Sequence, residues 1–411
     1  MTVPAPSLPV RPRELDLWIE GLRGVAALLV GLEHLWLMNR FFPPEEIPFY
    51  VRMWAAGHAS VLVFFILSGY VIGLTNQGVY SGERARAYLG RRAVRLLPIF
   101  WLALLLTLAV NYGDSLWTYG ATALMLQNEN FTFPWHLHPP RANGPMWSLN
   151  YEAVYYLFFL YLWRRPQSFS LTLIFALGLG VAGWLLPATL FPRFLAGYAV
   201  GWIFWGVGWW LSRQPLAASG PLRAPLLAGL LALMATHHLA SGQIFLFGLG
   251  LRQHDVSMVN LSNLSLLPGC LWLVGTAARR DFPFRRALAV LTFLVPAATT
   301  VLLMVTRHLS DTPDWMAGAA LTATALLTLG LTTNGWLRKF SPFGRISYAF
   351  YLVHMPLLLA FKSWSFPVPS ALTFAGTALL WFATSTILAI FLELWLQPRL
   401  RRLLTSSRSP A

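Results

Sequence analysis

Four ionisable side chains lie within the first apolar stretch of the sequence. Between residues 19 and 38 they are Glu20, Arg23, Glu33 and His34. Each ionisable group in such a stretch costs about 2.5–3.5 kcal/mol on insertion, which makes it a candidate for function. Arg23 and His34 are close to three helical turns apart, so they share one face about 16 Å apart along the axis. This spacing suits an elongated anionic ligand with its head at the guanidinium and its reactive end near the imidazole.

A purely structural interpretation of this pair also fits the sequence. Arg23 would extend to a lipid phosphate, as long basic side chains do near the end of a membrane helix. His34 would then form a hydrogen bond to a neighbouring helix. Spacing alone leaves both interpretations open.

The composition indicates what surrounds these residues. Hydrophobic residues make up 56% of the 411 and charged residues only 11%, whereas a soluble domain carries about a quarter of charged residues. Repeated apolar runs of roughly 18–20 residues are long enough to cross ~30 Å of hydrocarbon. The composition excludes most soluble folds and predicts an all-α polytopic integral membrane protein in contact with the lipid bilayer.

Twelve apolar windows are candidate transmembrane helices, and we expect about ten to twelve of them to cross. They are residues 19–38, 58–76, 96–112, 147–163, 171–187, 194–212, 223–240, 262–278, 287–306, 316–333, 346–363 and 371–397. The weakest window is 262–278, which contains Pro268 and Gly269. The run Leu116–Leu126 is too short to cross and predicts a re-entrant or interfacial helix.

The basic residues alternate between the connecting segments. With the parse above, 22 Lys and Arg fall on the side of the N-terminus and 7 on the other side. Cytoplasmic loops retain basic residues, so both termini are predicted to be cytoplasmic. Topology thus accounts for most of the net charge of +15, and a nucleic-acid partner is not expected.

The same parse divides the chain into three parts. Residues 1–18 are a cytoplasmic segment, 19–397 a transmembrane domain and 398–411 a short basic tail. Cys270 has no partner for a disulfide. His136 and His138, with His58, lack the carboxylate or cysteine spacing of a metal site, so no metal is expected. His237, His238, Asp311 and Asp314 are predicted to be solvated or interfacial.

Further motifs follow the first span in order. They are Phe64-Phe65-Ile66-Leu67-Ser68-Gly69-Tyr70, Tyr88-x-x-Arg91-Arg92-x-x-Arg95-x-x-Pro98, Trp147-Ser148-Leu149 with Glu152 and Tyr156, Phe191-Pro192-Arg193-Phe194 with Gly201, and Gly344-Arg345-Ile346-Ser347-Tyr348-x-x-Tyr351-Leu352-x-His354. With Glu20-Gly21-Leu22-Arg23 and Glu33-His34, this series resembles acyltransferase family 3. The family comprises membrane O-acyltransferases that modify bacterial surface glycans and some natural products. The resemblance spans about residues 17–398.

Three features depart from the family pattern. Glu20 stands where the family usually has Asp, and Ala153 stands where a second carboxylate usually follows Glu152. The stretch 223–285 matches no family element.

The resemblance implies an enzyme of the bacterial cytoplasmic (inner) membrane. Its expected reaction moves an acyl group, expected to be acetyl, from acyl-CoA to a hydroxyl of a glycan or glycosylated acceptor. Arg23, Arg91, Arg92 and Arg95 would anchor the phosphates of the donor, because Arg binds phosphate oxygens in bidentate fashion. The alternative for the three later arginines is the positive-inside bias with contact to anionic lipid.

Histidine titrates near neutral pH, so His34 is the expected general base. Glu152 is the better candidate to orient it. Glu33, also counted among the catalytic candidates, follows His34 on a different helix face and could instead pair with another helix. Trp147 or Ser148 would donate to the oxyanion. The remaining candidates for the substrate-binding wall are Ser68, Tyr156, Tyr348, Tyr351 and His354, although His354 also fits an interhelical hydrogen bond. Gly69 is expected to serve packing.

Three alternatives remain at the level of the sequence, one of which is an inactive structural subunit that keeps the fold. His34 could itself carry the acyl group as an acyl-histidine before the acceptor arrives. Twelve spans with buried Arg, Glu and His also fit a proton-coupled transporter of an anionic or sugar-like solute, but such carriers contain repeats with paired broken helices, and none is evident. A homo-oligomer is compatible with the sequence.

Overall fold

The structure is a computed structural model. It describes residues 13–37, 49–110, 113–128, 137–217, 222–251, 257–306, 314–362 and 371–406. All secondary-structure elements of these residues are helices, and the described residues form no β-strand. The prediction of an all-α fold is therefore confirmed. Of the residues considered above, His136 and Asp311 lie outside the described part of the chain.

Seventeen α-helices follow one another in the described ranges. They are α1 (Arg13–Leu37), α2 (Phe49–Arg52), α3 (Gly57–Thr75), α4 (Gly82–Val110), α5 (Leu116–Ala123), α6 (Trp147–Arg164), α7 (Phe169–Leu185), α8 (Arg193–Ser212), α9 (Leu226–His238), α10 (Ser241–Gly248), α11 (Leu267–Ala277), α12 (Arg285–Thr306), α13 (Trp315–Leu327), α14 (Gly335–Lys339), α15 (Ser341–Lys362), α16 (Ala371–Ile390) and α17 (Gln397–Ser406). A π-helical turn, Phe391–Leu396, joins α16 to α17.

Seven helical segments of the described chain are long and apolar enough to cross a membrane. They are Phe49–Thr75, Gly82–Val110, Pro166–Leu185, Arg193–Ser212, Arg285–Thr306, Ser341–Phe361 and Leu372–Leu403. Helices α9 and α10 form an eighth candidate, bent by 51°. These helices support a polytopic membrane protein, while the count of about ten to twelve spans and the cytoplasmic termini stay predictions.

The window 262–278 is the one that the sequence identifies as weakest, and its helix is interrupted. A 3₁₀ segment, Leu261–Leu266, precedes the eleven-residue helix α11. Asn260 caps this segment, and its backbone N–H donates to the side chain of Asn263 at 2.8 Å. The two asparagines thus stabilise the 3₁₀ segment, and the eleven residues of α11 that follow are too few to span a membrane.

Helix α5 has the character expected of an interfacial helix. It is only eight residues long, and Ser115 caps it by accepting a hydrogen bond from the Thr118 N–H at 3.2 Å. Leu116 and Trp117 are 79% and 67% exposed. Such exposed apolar residues on a short helix fit the boundary between lipid and water.

Helices α3 and α8 pack with their backbones in close approach. A Cβ on Gly69 would collide with the backbone of Trp205, and a Cβ on Gly208 would collide with the backbone of Ile66. Small residues allow this approach in membrane helices, where packing replaces the hydrophobic effect. The packing role expected for Gly69 therefore agrees with the structure.

Helix α1 lies against both α15 and α3, which fixes the face that carries Arg23 and His34. An ion pair between Arg345 Nε and Glu20 Oε2, 3.2 Å apart, joins one end of α1 to α15. We call this end of the bundle, which also carries Arg91, the inner end. The opposite end, at His34, is the outer end.

Candidate active site

The inner end of the bundle contains a cavity of about 1100 Å³. We call it the inner cavity. Helices α1, α3, α4, α6, α15 and α17 and the π-helical turn contribute to its wall. The residues proposed from the sequence that line it are Arg23, Ser68, Arg91, Arg92, Arg95, Ser148, Glu152, Tyr156, Tyr348 and Tyr351. Helix packing thus brings together residues that lie more than 300 positions apart.

The outer end contains a second cavity of about 380 Å³. Glu33, His34 and Trp147 line this outer cavity. Sequence reasoning did not assign to the site several polar residues that also line it, namely His58, His237, Gln243, Asn260, Ser262 and Asn263. Most of its polar groups are neutral donors and acceptors, a chemistry that suits hydroxyl-bearing ligands.

Arg23 and His34 share one face of α1, but they line different cavities. Tyr351 and Val61 line both cavities and therefore stand between them. An elongated ligand that contacts both Arg23 and His34 has to pass this pair of side chains.

The ring of His34 is held by two groups through the same nitrogen atom. Its Nδ1 lies 2.9 Å from the Val30 carbonyl oxygen and 3.3 Å from Nε2 of His354. A carbonyl only accepts, so Nδ1 carries the proton of the neutral ring. Nε2 of His34 then has the free lone pair that a general base needs.

His354 is the side chain that contacts His34. It is fully buried, and its Nδ1 lies 2.8 Å from the Tyr351 carbonyl oxygen and 3.1 Å from that of Phe350. Its Nδ1 therefore carries a proton, and its Nε2 accepts from His34. The contact is an interhelical hydrogen bond between α15 and α1, one of the two sequence-based interpretations of His354, and the functional role of its imidazole stays a prediction.

Glu152 lies elsewhere, in the inner cavity. Its Oε1 accepts from Ser68 Oγ at 2.8 Å and from the hydroxyl of Tyr156. Among the described residues Glu152 makes no hydrogen bond to His34, so the expected orientation of the imidazole by Glu152 has no direct contact to support it. The three residues form one polar group on the wall of the inner cavity.

Glu33 binds the start of a neighbouring helix. Its Oε2 accepts from the backbone N–H of Gly57 at 2.6 Å, at the first turn of α3. A carboxylate at a helix N-terminus satisfies an unpaired N–H and compensates the helix dipole. This contact matches the expectation that Glu33 pairs with another helix.

Arg95 is bound by a residue that the sequence reasoning missed. Both of its terminal nitrogens donate to Glu393, and Arg95 Nη2 lies 3.0 Å from Glu393 Oε1. Glu393 is 6% exposed and belongs to the π-helical turn, a type of turn often found at functional sites. A lone carboxylate within the apolar window 371–397 was the signal that could have identified it.

The other arginines of the inner cavity have weaker partners. Arg91 donates to Asn76 Oδ1 at 3.2 Å. Arg92 lies over the rings of Tyr88 and Tyr156, at 5.9 and 5.8 Å from their centroids. Among the described residues, Arg23 makes no ion pair. These guanidinium groups therefore keep donors for an anionic ligand.

Ser148 and Tyr351 form a hydroxyl pair between the two cavities. Their oxygens are 2.8 Å apart, and the Tyr351 hydroxyl donates to the Pro145 carbonyl oxygen at 2.9 Å.

Two further candidates for the site line one cavity each. Trp147 lines the outer cavity, and its indole has no hydrogen-bond partner among the described residues. Tyr348 donates to the Leu96 carbonyl at 2.9 Å beside Arg95.

The outer histidines are more buried than the sequence suggested. His238 is only 6% exposed, so of its two predicted positions, solvated or interfacial, the solvated one is wrong. Its Nε2–H donates to the Met53 carbonyl at 3.0 Å. Its Nδ1 lies 3.8 Å from Asp314, which also pairs with Arg52 at 3.1 Å. Contact with His238 and the charge of Arg52 hold the pKa of Asp314 below its ordinary value.

No group of three His, Cys, Asp or Glu suitable for a metal ion occurs among the described residues. A family model described as an acyltransferase domain matches residues 16–396, nearly the whole chain. No curated protein and no solved structure matches the chain.

Proposed function

Since this chain belongs to acyltransferase family 3, we propose that it transfers an acetyl group from acetyl-CoA to a hydroxyl of a glycan or glycosylated acceptor. It is a membrane acyltransferase by its family and its helices. The donor, the acceptor and a location in the bacterial inner membrane are parts of the proposal.

The observation that carries the proposal is the pair of cavities on either side of Tyr351. The inner cavity is lined by arginines, which suits the phosphates of a nucleotide thioester. The polar groups that line the outer cavity are mostly neutral, which suits the hydroxyls of a sugar. The thioester of a donor bound in the inner cavity would meet the acceptor near Tyr351 and His34.

His34 would act as general base at the outer cavity. Its Nε2 takes the proton of the acceptor hydroxyl while the hydroxyl oxygen attacks the thioester carbonyl. The tetrahedral intermediate collapses by breaking the carbon–sulfur bond, and the thiol group of coenzyme A leaves with a proton. The indole of Trp147, or the Ser148 hydroxyl once it turns away from Tyr351, would donate to the oxyanion.

The same geometry permits an acyl-enzyme route. The free Nε2 of His34 would attack the thioester carbonyl first, and the carbon–sulfur bond breaks to release the thiolate of coenzyme A and leave an acetyl-imidazole. The acceptor hydroxyl then attacks the acetyl carbonyl, the carbon–nitrogen bond to His34 breaks, and the hydroxyl proton ends on the released thiolate. The two routes differ when the enzyme is mixed with labelled acetyl-CoA in the absence of acceptor and the reaction is rapidly quenched. Only the acyl-enzyme route leaves label on His34.

The test of the function uses the full chain in membranes or nanodiscs. Wild type, His34→Ala and Arg23→Ala are given labelled acetyl-CoA and a panel of glycan acceptors. We expect transfer by wild type, loss of transfer with retained donor binding for His34→Ala, and weakened donor binding for Arg23→Ala. Failure of well-folded wild type to bind, transfer or hydrolyse the donor would overturn the proposal. Full transfer by His34→Ala would overturn only the assignment of the base.

A further inference from the structure

The C-terminal helix α17 adds two cations to the wall of the inner cavity. Arg401 and Arg402 line it, and both are exposed. Neither belongs to a motif that the sequence analysis identified. Gln397, four residues before Arg401, lies on the same helix face. Its Nε2 donates to the Val94 carbonyl of α4 at 2.7 Å.

The π-helical turn determines which face of α17 meets the cavity. Glu393 anchors this turn on Arg95 and also accepts from the Ala349 N–H at 3.3 Å. Gln397, in the first turn of α17, then contacts α4, so the next turn carries Arg401 along the same side. Arg401 lies about 12 Å from Glu393 along the helix path, at ~1.5 Å per residue.

Arg399 provides a contrast within the same helix. Its guanidinium lies 3.8 Å from the centroid of the Trp395 ring, and its Nη1 donates to the Trp395 carbonyl at 2.9 Å. It does not line the inner cavity. The helix therefore has one arginine outside the inner cavity and two that line it.

The charges of the described cavity wall indicate what these arginines bind. Six arginines and two carboxylates line the inner cavity, an excess of four positive charges. A phosphomonoester carries about −1.5 to −2 at pH 7. A nucleotide with one terminal phosphomonoester and one diphosphate bridge therefore carries roughly four negative charges, which matches this excess.

We propose that Arg401 and Arg402 of α17, which line the inner cavity together with Arg91 and Arg92 of α4, bind the terminal phosphate of the nucleotide part of the donor. Arg95 and Arg23 line the same cavity, into which the rest of the donor would extend. The inference rests on the proposed function for the identity of the donor, but the phosphate site can be tested without any transfer.

The first measurement is the affinity of the full chain for labelled adenosine 3′,5′-bisphosphate in phosphatidylcholine nanodiscs. We expect Arg401→Gln/Arg402→Gln to raise Kd by about tenfold or more, because two charge-assisted contacts are lost. Arg399→Gln should leave Kd within about twofold. Arg401→Lys/Arg402→Lys should lie between wild type and the glutamine variant, since it keeps the charge and loses the bidentate geometry. Size-exclusion profiles and unfolding temperatures show that each variant is folded.

The second measurement compares two donors. In the glutamine variant the KM for acetyl-CoA should rise by about tenfold or more with unchanged kcat, while the KM for acetyl-dephospho-CoA, which lacks the terminal phosphate, should stay near the wild-type value. Equal changes for both donors would overturn the inference, as would absence of bisphosphate binding by wild type or unchanged binding by the glutamine variant.

Anionic lipid headgroups offer the same phosphate chemistry. Nanodiscs with and without phosphatidylglycerol separate the two sources. If the glutamine variant changes only the association with anionic lipid, the inference is overturned.

The outcomes also distinguish this inference from the proposed function. If wild type binds the bisphosphate through Arg401 and Arg402 but transfers no acetyl group, the phosphate site stands and the proposed function fails. If wild type transfers acetyl and the variant keeps its Kd and KM, the function stands and this inference fails.

Discussion

His354 Nε2 accepts a hydrogen bond from His34 Nδ1 across 3.3 Å, and each Nδ1 also faces a backbone carbonyl. The two imidazoles come from α1 and α15, and their rings are tilted by 58° with centroids 5.1 Å apart. Because both Nδ1 atoms donate, the arrangement leaves His34 Nε2 as the acceptor at the outer cavity. His354 is thus a positioning residue for the proposed base.

Replacing His354 should lower kcat more than it changes KM. We expect His354→Phe to reduce kcat by roughly tenfold or more, up to the ~10²–10⁴-fold loss that removal of a general base causes. His354→Gln, whose amide oxygen can accept from His34, should recover part of this loss. Steady-state kinetics on the two variants measure the difference. If both variants are as active as wild type, the contact between the two rings has no role in positioning His34.

Glu393 and Arg95 should behave as one unit. Glu393→Gln leaves the Arg95 guanidinium without its carboxylate, and we expect a loss of about 1.5–3 kcal/mol in the free energy of unfolding. The double variant Arg95→Gln/Glu393→Gln should lose less than the sum of the single losses, because it removes both charges. Denaturant or thermal unfolding in detergent provides the four free energies of this cycle. Strict additivity would contradict a coupled pair.

Glu33 should contribute to stability through the N-terminus of α3. We expect Glu33→Ala to lower the free energy of unfolding by about 0.5–2 kcal/mol, the range for loss of a helix cap. Glu33→Gln retains an acceptor for the Gly57 N–H and should lose less, mainly the interaction of the charge with the helix dipole. Unfolding temperatures of the two variants test this order, and a larger loss for Gln than for Ala would contradict it.

Gly69 and Gly178 both lie within helices but differ in the space around them, so substitution of the second is a control for substitution of the first. A Cβ on Gly69 meets the Trp205 backbone, whereas a Cβ on Gly178 meets nothing within 4 Å. We therefore expect Gly69→Ala to cost about 1–3 kcal/mol, as overpacking does. Gly178→Ala should be neutral or stabilising by up to ~1 kcal/mol, since Ala is the better helix former. Thermal unfolding of both variants measures the difference. Equal shifts of the unfolding temperature in the two variants would contradict the prediction.

Asp314 should make stability depend on acid pH. Its lowered pKa means that its ionised form is favoured by folding, so the contribution is fully present above the ordinary value of 3.8 and is lost as the pH falls through the lowered pKa. Unfolding temperatures from pH 6 down to pH 3 should therefore fall more steeply in wild type than in Asp314→Asn. Parallel profiles would show that contact with Arg52 and His238 does not contribute.

Much of the site was predictable because each ionisable group in an apolar helix has a local cost that the sequence displays. This rule identified Arg23, His34 and Glu152, and the order of the motifs predicted the family that the match over residues 16–396 confirms. Applied to the window 371–397, it would also have identified Glu393. Arg401 and Arg402 lie in a basic tail, where the sequence predicts only topology.

The sequence by itself determined the all-α membrane class, the family and most of the polar residues, since burial in lipid leaves its mark on each helix separately. Only the tertiary structure decided that Arg23 and His34 line two different cavities and that His354 holds His34. It also decided that Glu393 binds Arg95, 298 residues away in the chain. These partners depend on how helices pack and turn against one another, and contacts of that kind have no fixed spacing in the sequence.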